Sequence, residues 1–307
     1  MISTVFGRTK PINFIFIILF TIFIFFSFHF FILKTQINLY STLKLLGSFC
    51  LVLFSLFLTN FISKKNGLTK DNTYAVLIFV LSLSFFPYTF GKVNIIISNV
   101  FIFLALRRII SLKSYSHIKL KLFDASLWIC LATIFYEWAL LFFFLVFVAI
   151  LHYGLKDLRN WFIPVVAIVI AVIFVICFFY LTNRIDELYE ILKFKMELNI
   201  DKYTDLKYLV PLLFILLVGF LAIFSYFKNI KVKLSDDQSS ILLIIVAFFI
   251  SSFIVLLSDN ENTPQFIFMA FPFAVLVTNY IELIEKKWYK ELLLWLFILM
   301  PFIISML

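Results

Sequence analysis

The sequence predicts an all-α fold, a polytopic membrane helix bundle, and three observations support this fold class. The mean hydropathy is +1.10 and only 14% of residues are charged, whereas soluble domains carry roughly 25% charged residues. Eleven apolar segments follow one another along the chain, most of them long enough to cross a hydrocarbon core of about 30 Å. No polar stretch is long enough to fold separately, so residues 1–307 form a single integral membrane domain.

The apolar segments define the expected transmembrane helices in chain order. We expect them at 12–33, 43–62, 73–90, 94–111, 122–135, 138–153, 161–181, 208–228, 239–257, 265–284 and 289–305. The first lacks a small-residue cleavage site after it, which favours a retained helix over a signal peptide. Pro87 and Pro272 lie inside two of the segments and are expected to kink or break those helices.

The segment 123–152 is the one whose division is ambiguous. As a single helix it would be about 45 Å long, which exceeds the roughly 30 Å of the hydrocarbon core. Glu137 lies at its midpoint between Tyr136 and Trp138, a sequence typical of a turn at the membrane interface. We therefore expect a hairpin of two helices.

The cations in the joints between segments predict the orientation. Joints on the side of the N-terminus hold 18 of the 26 Lys and Arg residues, and five of the other eight lie in the long loop 183–207. Cytoplasmic joints are enriched in Lys and Arg, so we expect a cytoplasmic N-terminus in the bacterial inner membrane. The net charge of +9 then indicates contact with anionic lipid, not with nucleic acid.

The long outer loop has a pattern of its own. Its apolar residues recur at helical spacing, and they are Ile185, Leu188, Tyr189, Leu192 and Met196. This pattern predicts one amphipathic helix on the periplasmic surface of the membrane. The helix is either a plain interfacial connector, a lid over a cavity or a docking site for a partner.

Few ionisable residues lie within or directly beside the apolar segments, and such residues in a membrane default to functional candidates. Glu137 is either a general base or metal ligand, or a solvated turn residue. Asp259 and Glu261 either hold a divalent cation through hard oxygens, bind sugar hydroxyls or form a polar turn. Lys92 either contacts a lipid phosphate or extends to the interface. The histidines and cysteines show no metal-ligand spacing. Mg²⁺, which takes oxygen ligands, is expected only if the site is catalytic.

Several stretches resemble C-type, polyprenyl-phosphosugar-dependent glycosyltransferases. Leu83–Asn99, followed by Leu104–Arg108, resembles the third and fourth helices of that family. The segment around Tyr136–Trp138 is similar to the next paired helices, and Pro264–Ala274 to a late helix that contains proline. The resemblance rests on hydropathy and short motifs.

The resemblance implies an inner-membrane glycosyltransferase that acts on polyprenyl-linked sugars in cell-envelope glycan assembly. Glu137, Asp259 or Glu261 would then supply a catalytic base or hold Mg²⁺. The substrate-binding residues would be Lys92, Tyr136, Trp138 and Gln265.

The chain also departs from the glycosyltransferase pattern. The family carries an acid in its first outer loop, but here that loop is Lys34–Tyr40, which contains none. Asn94 and Asn99 stand where acids are frequent in the family. If the fold is shared, the base is therefore either relocated or lost.

Two other functions stay open at this point. The opening stretch Phe6–Phe14 resembles a flavobacterial multi-pass membrane-protein family, which supplies no activity. The chain is then either a non-catalytic subunit or scaffold of an envelope complex, with another membrane or periplasmic protein as partner, or a lipid flippase or transporter. A transporter needs polar groups at mid-bilayer, where the sequence offers Asn99 and a few Ser and Thr residues.

Overall fold

A computed structural model describes residues 2–34, 38–155, 157–184, 205–229, 235–258 and 262–306. These residues form twelve α-helices and no strand. The helices are α1 (Ile2–Phe6), α2 (Pro11–Ser27), α3 (Leu39–Lys65), α4 (Tyr74–Phe85), α5 (Val93–Ile110), α6 (Ile118–Phe135), α7 (Phe143–His152), α8 (Arg159–Leu181), α9 (Leu206–Lys228), α10 (Ser235–Leu257), α11 (Ile267–Leu283) and α12 (Lys287–Met306). A π-helical stretch, Phe28–Ile32, extends α2, and 3₁₀ helices form at Pro87–Gly91, Ser111–Ser114, Glu137–Phe142 and Pro264–Phe266.

The helices confirm the all-α class, since each of the eleven apolar segments coincides with a helix. Seven helical segments are long and apolar enough to cross a membrane: Pro11–Ile32, Leu39–Lys65, Val93–Ser114, Arg159–Leu181, Leu206–Lys228, Ser239–Leu257 and Pro264–Leu283. Two further apolar helices, Tyr74–Phe85 and Glu137–His152, are shorter. The chain is therefore a membrane-embedded helical protein, while the count of eleven spans and the orientation stay predictions.

The centre of the bundle is the pair α4 and α11, which pack against each other. All twelve residues of α4 are buried, as is almost all of α11. A helix that is apolar all round, as α4 is, must be covered on all sides by other helices or by lipid. At the periphery, α8 leaves large side chains such as Phe162 and Phe174 exposed, as expected for a lipid-facing helix.

Close packing of α9 on α10 depends on a glycine. A Cβ atom added at Gly219 would lie 2.5 Å from Cζ of Phe248, well inside van der Waals contact. The absence of a side chain lets the aromatic ring of α10 approach the backbone of α9, which is a common device in membrane bundles.

The segment 123–152 forms the expected hairpin. Helix α6 ends before Tyr136, whose backbone is extended (φ −155°, ψ 109°), and α7 returns after a 3₁₀ turn. The two ends of the hairpin meet again, because the Tyr153 ring lies 6.2 Å from that of Tyr115. Just beyond the hairpin, Lys119 Nζ lies 3.9 Å from a carboxylate oxygen of Asp157.

The two prolines inside apolar segments behave differently. Helix α4 ends at Phe85, Phe86 leaves the helical region (φ −128°, ψ 69°) and Pro87 begins a 3₁₀ helix, so the expected break is present. At Pro272 the helix is not interrupted, because α11 runs from Ile267 to Leu283; a kink there stays a prediction. Pro272 is buried among neighbouring helices, whose packing holds the helix together without the missing hydrogen bond.

Contacts between the joints define two ends of the bundle. At the N-terminal end, the backbone N–H of Thr73 donates to the carbonyl of Phe6 (3.0 Å) and Lys64 Nζ donates to Thr9 Oγ1 (2.8 Å). At the opposite end, Thr89 Oγ1 donates to the carbonyl of Pro264 (3.2 Å). The first end gathers the joints after α1, α3, α5, α7 and α11; the second gathers those after α4, α6 and α10.

Candidate functional site

Interrupted helices meet at the end opposite the N-terminus. The Phe86 and Phe266 rings are stacked, with centroids 3.4 Å apart, which joins the break in α4 to the start of α11. The Tyr136 ring stacks on Phe268 at 5.4 Å, which adds the break between α6 and α7. Three segments that the sequence singled out separately therefore lie together.

Glu137 begins the 3₁₀ helix that follows the extended Tyr136. Its side chain is half-buried, whereas those of Tyr136 and Trp138 are 8% and 3% exposed. The carboxylate thus lies at a helix break between two buried aromatic residues, in a position from which it could accept a proton. Its role as a base stays a prediction.

Gln265 is the least expected feature of this end. The side chain is fully buried, and among the described residues neither its Nε2 nor its Oε1 atom has a hydrogen-bond partner. The neighbouring Thr263 is also buried, and its Oγ1 atom has no partner in the same part of the chain. Burying such a group without a partner costs about 1–3 kcal/mol, so this loop carries polar groups whose hydrogen-bonding capacity is unused.

The backbone around Gln265 is constrained as well. Asn262 and Thr263 have φ angles of 63° and 49°, in the left-handed region that non-glycine residues rarely adopt. The Asn262 side chain accepts a hydrogen bond from the hydroxyl of Tyr208 at the start of α9. Strained backbone and unsatisfied polar groups in one loop are typical of binding sites.

Lys92 lies at the same end, at the N-terminus of α5. Its backbone N–H donates to the carbonyl of Thr89 at 3.3 Å, next to the contact between Thr89 and Pro264. The side chain is exposed, and within the described ranges its ammonium group has no hydrogen bond or ion pair. The structure therefore leaves Lys92 able to meet an anion, and its phosphate contact stays a prediction.

Other predicted site residues lie outside the described residues. They are Asp259 and Glu261 of the polar loop and Ile185, Leu188, Tyr189, Leu192 and Met196 of the amphipathic segment. Among the residues that are described, no three His, Cys, Asp or Glu side chains come together. The Mg²⁺ expected for a catalytic site stays a prediction.

The N-terminal end contains a polar network that the sequence analysis missed. The Glu291 carboxylate accepts hydrogen bonds from the backbone N–H groups of Ile2 and Ser3, each at 3.0 Å, and from Ser3 Oγ at 2.5 Å. The Glu282 carboxylate accepts from the backbone of Lys70 (2.8 Å) and from Asn72 Nδ2 (2.7 Å). Glu291 thereby holds α1 against α12, and Glu282 holds the loop after α3 against α11.

A cavity of about 470 Å³ lies within this network and is lined by Ser3, Asn72, Tyr74, Glu282, Lys287 and Lys290. The hydrogen bonds of this network join residues more than 200 positions apart. No local sequence pattern therefore reveals the network or its cavity. In the sequence, its signal is a cluster of charges in the joints, the same charges that predict the orientation.

Comparison with known proteins places the chain at the level of a family. The model of a family of unknown function (DUF6427) matches residues 9–306. No curated protein and no solved structure matches the chain. The resemblance to C-type glycosyltransferases gains no support from these comparisons.

Proposed function

The chain belongs to this family of unknown function, and from its own residues we propose that it binds a polyprenyl-linked sugar. In this proposal it is an inner-membrane protein of about eleven spans with a cytoplasmic N-terminus. The interrupted helices then face the periplasm, where the sugar is handled during cell-envelope glycan assembly.

The observation that carries this proposal is the buried, unpartnered side chain of Gln265. An amide offers two donors and an acceptor, and a hydroxyl group both donates and accepts. A sugar hydroxyl could therefore satisfy Nε2 or Oε1, and a second could reach Thr263 Oγ1. Binding would recover part of the free energy that burial of these groups costs, which favours a polyhydroxylated ligand over an apolar one.

The neighbouring residues allow a reaction of the glycosyl-transfer class. An acceptor hydroxyl attacks the anomeric carbon of the sugar, and Glu137 takes the proton from that hydroxyl. The bond from the anomeric carbon to the phosphate oxygen breaks, and the polyprenyl phosphate leaves with the electron pair. Lys92 stabilises the charge on the departing phosphate, since a cation beside a developing anion lowers the barrier.

A non-catalytic role is the second candidate, and the burial of Tyr136 and Trp138 favours it. These side chains, which flank Glu137 in the sequence, pack into the bundle, and such packing is typical of a structural turn. In this case the protein holds a lipid-linked sugar, or a partner protein of an envelope complex, without transferring the sugar.

The test compares single variants in cells that lack the native copy, with cell-surface glycan measured by mass spectrometry. Gln265→Met removes the amide while keeping the volume, and Asn99→Leu is the matched control because Asn99 is a buried, unpartnered amide elsewhere. We expect Gln265→Met to abolish glycan assembly and Asn99→Leu to leave it unchanged. Membrane insertion is checked by immunoblotting of each variant.

Glu137→Gln separates the two candidates. Loss of a general base lowers a rate about 10²–10⁴-fold, so a catalytic Glu137 predicts loss of glycan with normal insertion. Normal glycan in Glu137→Gln together with loss in Gln265→Met supports the non-catalytic role. If neither variant alters the glycan, the proposed function is wrong.

A further inference from the structure

A second cavity, of about 330 Å³, lies at the N-terminal end between the end of α3, the end of α5 and the start of α6. Five cations line it: Lys65, Arg107, Arg108, Lys113 and Lys121. No carboxylate is among its lining residues. The cations of this end are therefore concentrated in one pocket instead of being spread evenly over the joints.

Three of these cations are held in place by the protein itself. Arg108 is paired with Asp124 at 2.9 Å. Lys113 Nζ donates to a backbone carbonyl at the end of α3 (2.6 Å), and Lys121 Nζ donates to one in the adjoining 3₁₀ helix (2.7 Å). Burial, and then the charge of Arg108, lower the pKa of Lys121, as expected where cations crowd together without enough counter-charge.

The other two cations are poised but unpaired. Lys65 Nζ and the Arg107 guanidinium carbon both lie over the Phe61 ring, 5.2 Å and 4.9 Å from its centroid. In the described part of the chain neither makes a hydrogen bond or an ion pair. The carboxyl-terminal dipoles of α3 and α5 explain why cations are tolerated here, but they leave the N–H donors of both side chains free.

An apolar strip leads to this pocket along α3. Phe54, Phe57 and Phe61 are exposed (46%, 52% and 40%) and recur at the spacing that places side chains on one face of a helix. Lys65 continues the same face one turn later. The strip therefore runs along a membrane-spanning helix and ends in a cluster of cations.

We propose that this pocket binds the phosphate of an anionic phospholipid whose acyl chain lies along Phe54, Phe57 and Phe61. Lys65 and Arg107 donate to the phosphate oxygens, while the three fixed cations set the surrounding potential. Charge complementarity requires only a phosphate, but the adjoining apolar strip favours one attached to a lipid. Basic pockets between membrane helices are known to hold anionic head groups.

The test measures lipid binding to the full chain by native mass spectrometry in a neutral detergent, with phosphatidylglycerol and phosphatidylcholine titrated separately. The variant Lys65→Gln/Arg107→Gln removes two cations that hold no hydrogen bond within the described residues. The control Lys10→Gln/Lys286→Gln removes two exposed cations from the same end outside the pocket. We expect about 30-fold weaker phosphatidylglycerol binding in the first variant, from the contribution of each cation near the surface, and wild-type binding in the control.

The charge-conserving variant Lys65→Arg/Arg107→Lys distinguishes loss of charge from a folding defect. We expect it to bind phosphatidylglycerol within about threefold of wild type, because Arg and Lys both contact phosphate. Equal losses in the test and control variants would mean diffuse surface attraction and overturn the proposal. So would wild-type affinity in Lys65→Gln/Arg107→Gln, or equal binding of the two lipids. Complete displacement of the lipid by millimolar inorganic phosphate would assign the pocket to free phosphate instead. None of these outcomes depends on the sugar site at the opposite end.

Discussion

Two buried amides, one near each end of the bundle, differ in whether the described residues offer them a hydrogen-bond partner. At the N-terminal end, the Asn279 amide donates to the carbonyl of Leu68 at 2.9 Å, and Glu282 and Glu291 accept from backbone N–H groups. At the opposite end, helices are interrupted and the Gln265 amide is buried without a partner among the described residues. That end also joins distant parts of the chain, through Thr89 and Pro264 and through Tyr208 and Asn262, so the contrast concerns the two amides.

This difference predicts that the Asn279 amide supports the fold, whereas the Gln265 amide is available for binding. Satisfied buried hydrogen bonds add a modest net stability, whereas unsatisfied ones are costly. Natural proteins accept such costs at functional sites, where local rules are broken for a purpose. The same substitution, a buried amide to an apolar residue, should therefore have opposite effects at the two kinds of position.

The largest effect is expected for Asn279→Leu. Asn279 is 2% exposed, and the substitution leaves the carbonyl of Leu68 without its hydrogen bond inside the bundle. We expect a loss of about 2 kcal/mol in the free energy of unfolding. The measurement is unfolding by dodecyl sulfate in mixed micelles, followed by tryptophan fluorescence.

Asn99→Leu is the matched variant and has a smaller expected effect of opposite sign. Asn99 is fully buried in α5, and neither polar atom of its side chain has a partner in the part of the chain that the structure describes. Removing an unsatisfied amide should leave the free energy of unfolding unchanged or raise it by about 1 kcal/mol. A loss as large as that of Asn279→Leu would contradict the contrast between bonded and unpartnered amides.

Gln265→Met tests an unpartnered amide for both its effect on stability and its role in binding. We expect the free energy of unfolding to rise by up to about 1 kcal/mol, while binding of the proposed sugar is lost. Such a trade-off between stability and activity is typical of functional residues. Destabilisation by Gln265→Met in the absence of ligand would mean that the amide supports the fold, and its role in binding would lose its basis.

Most of the fold was predictable because it follows from one local property. Apolar segments long enough to span a membrane give helices whatever their neighbours, and even the break at Tyr136 was indicated by segment length and by Glu137. That α11 continues through Pro272 depends on packing by neighbours, which a local rule does not include. The close approach at Gly219 likewise becomes visible only when Phe248 is placed against it.

The site was predictable only in part, for a related reason. Residue type and position point to Glu137, Lys92 and Gln265 one at a time, and the structure brings their segments to one end. That the Gln265 amide is unpartnered depends on everything that surrounds it. The bonds of Ser3 to Glu291 join residues almost 290 positions apart, beyond the reach of any periodicity.

The smallest effect on overall stability is expected for Glu291→Gln, which probes the N-terminal end locally. The carboxylate accepts three hydrogen bonds from Ile2 and Ser3 at the start of α1. The helix dipole also stabilises a negative charge at this position. A neutral amide keeps only one acceptor atom, so we expect α1 to detach more often while global stability changes by less than about 1 kcal/mol. Hydrogen exchange of residues 2–7 should then rise severalfold, whereas Glu285→Gln, which alters an exposed acid of the same end, should leave it unchanged. Unaltered exchange in Glu291→Gln would mean that apolar contacts alone hold α1 in place. The hydrogen bonds of Glu291 would then not be what joins α1 to the bundle.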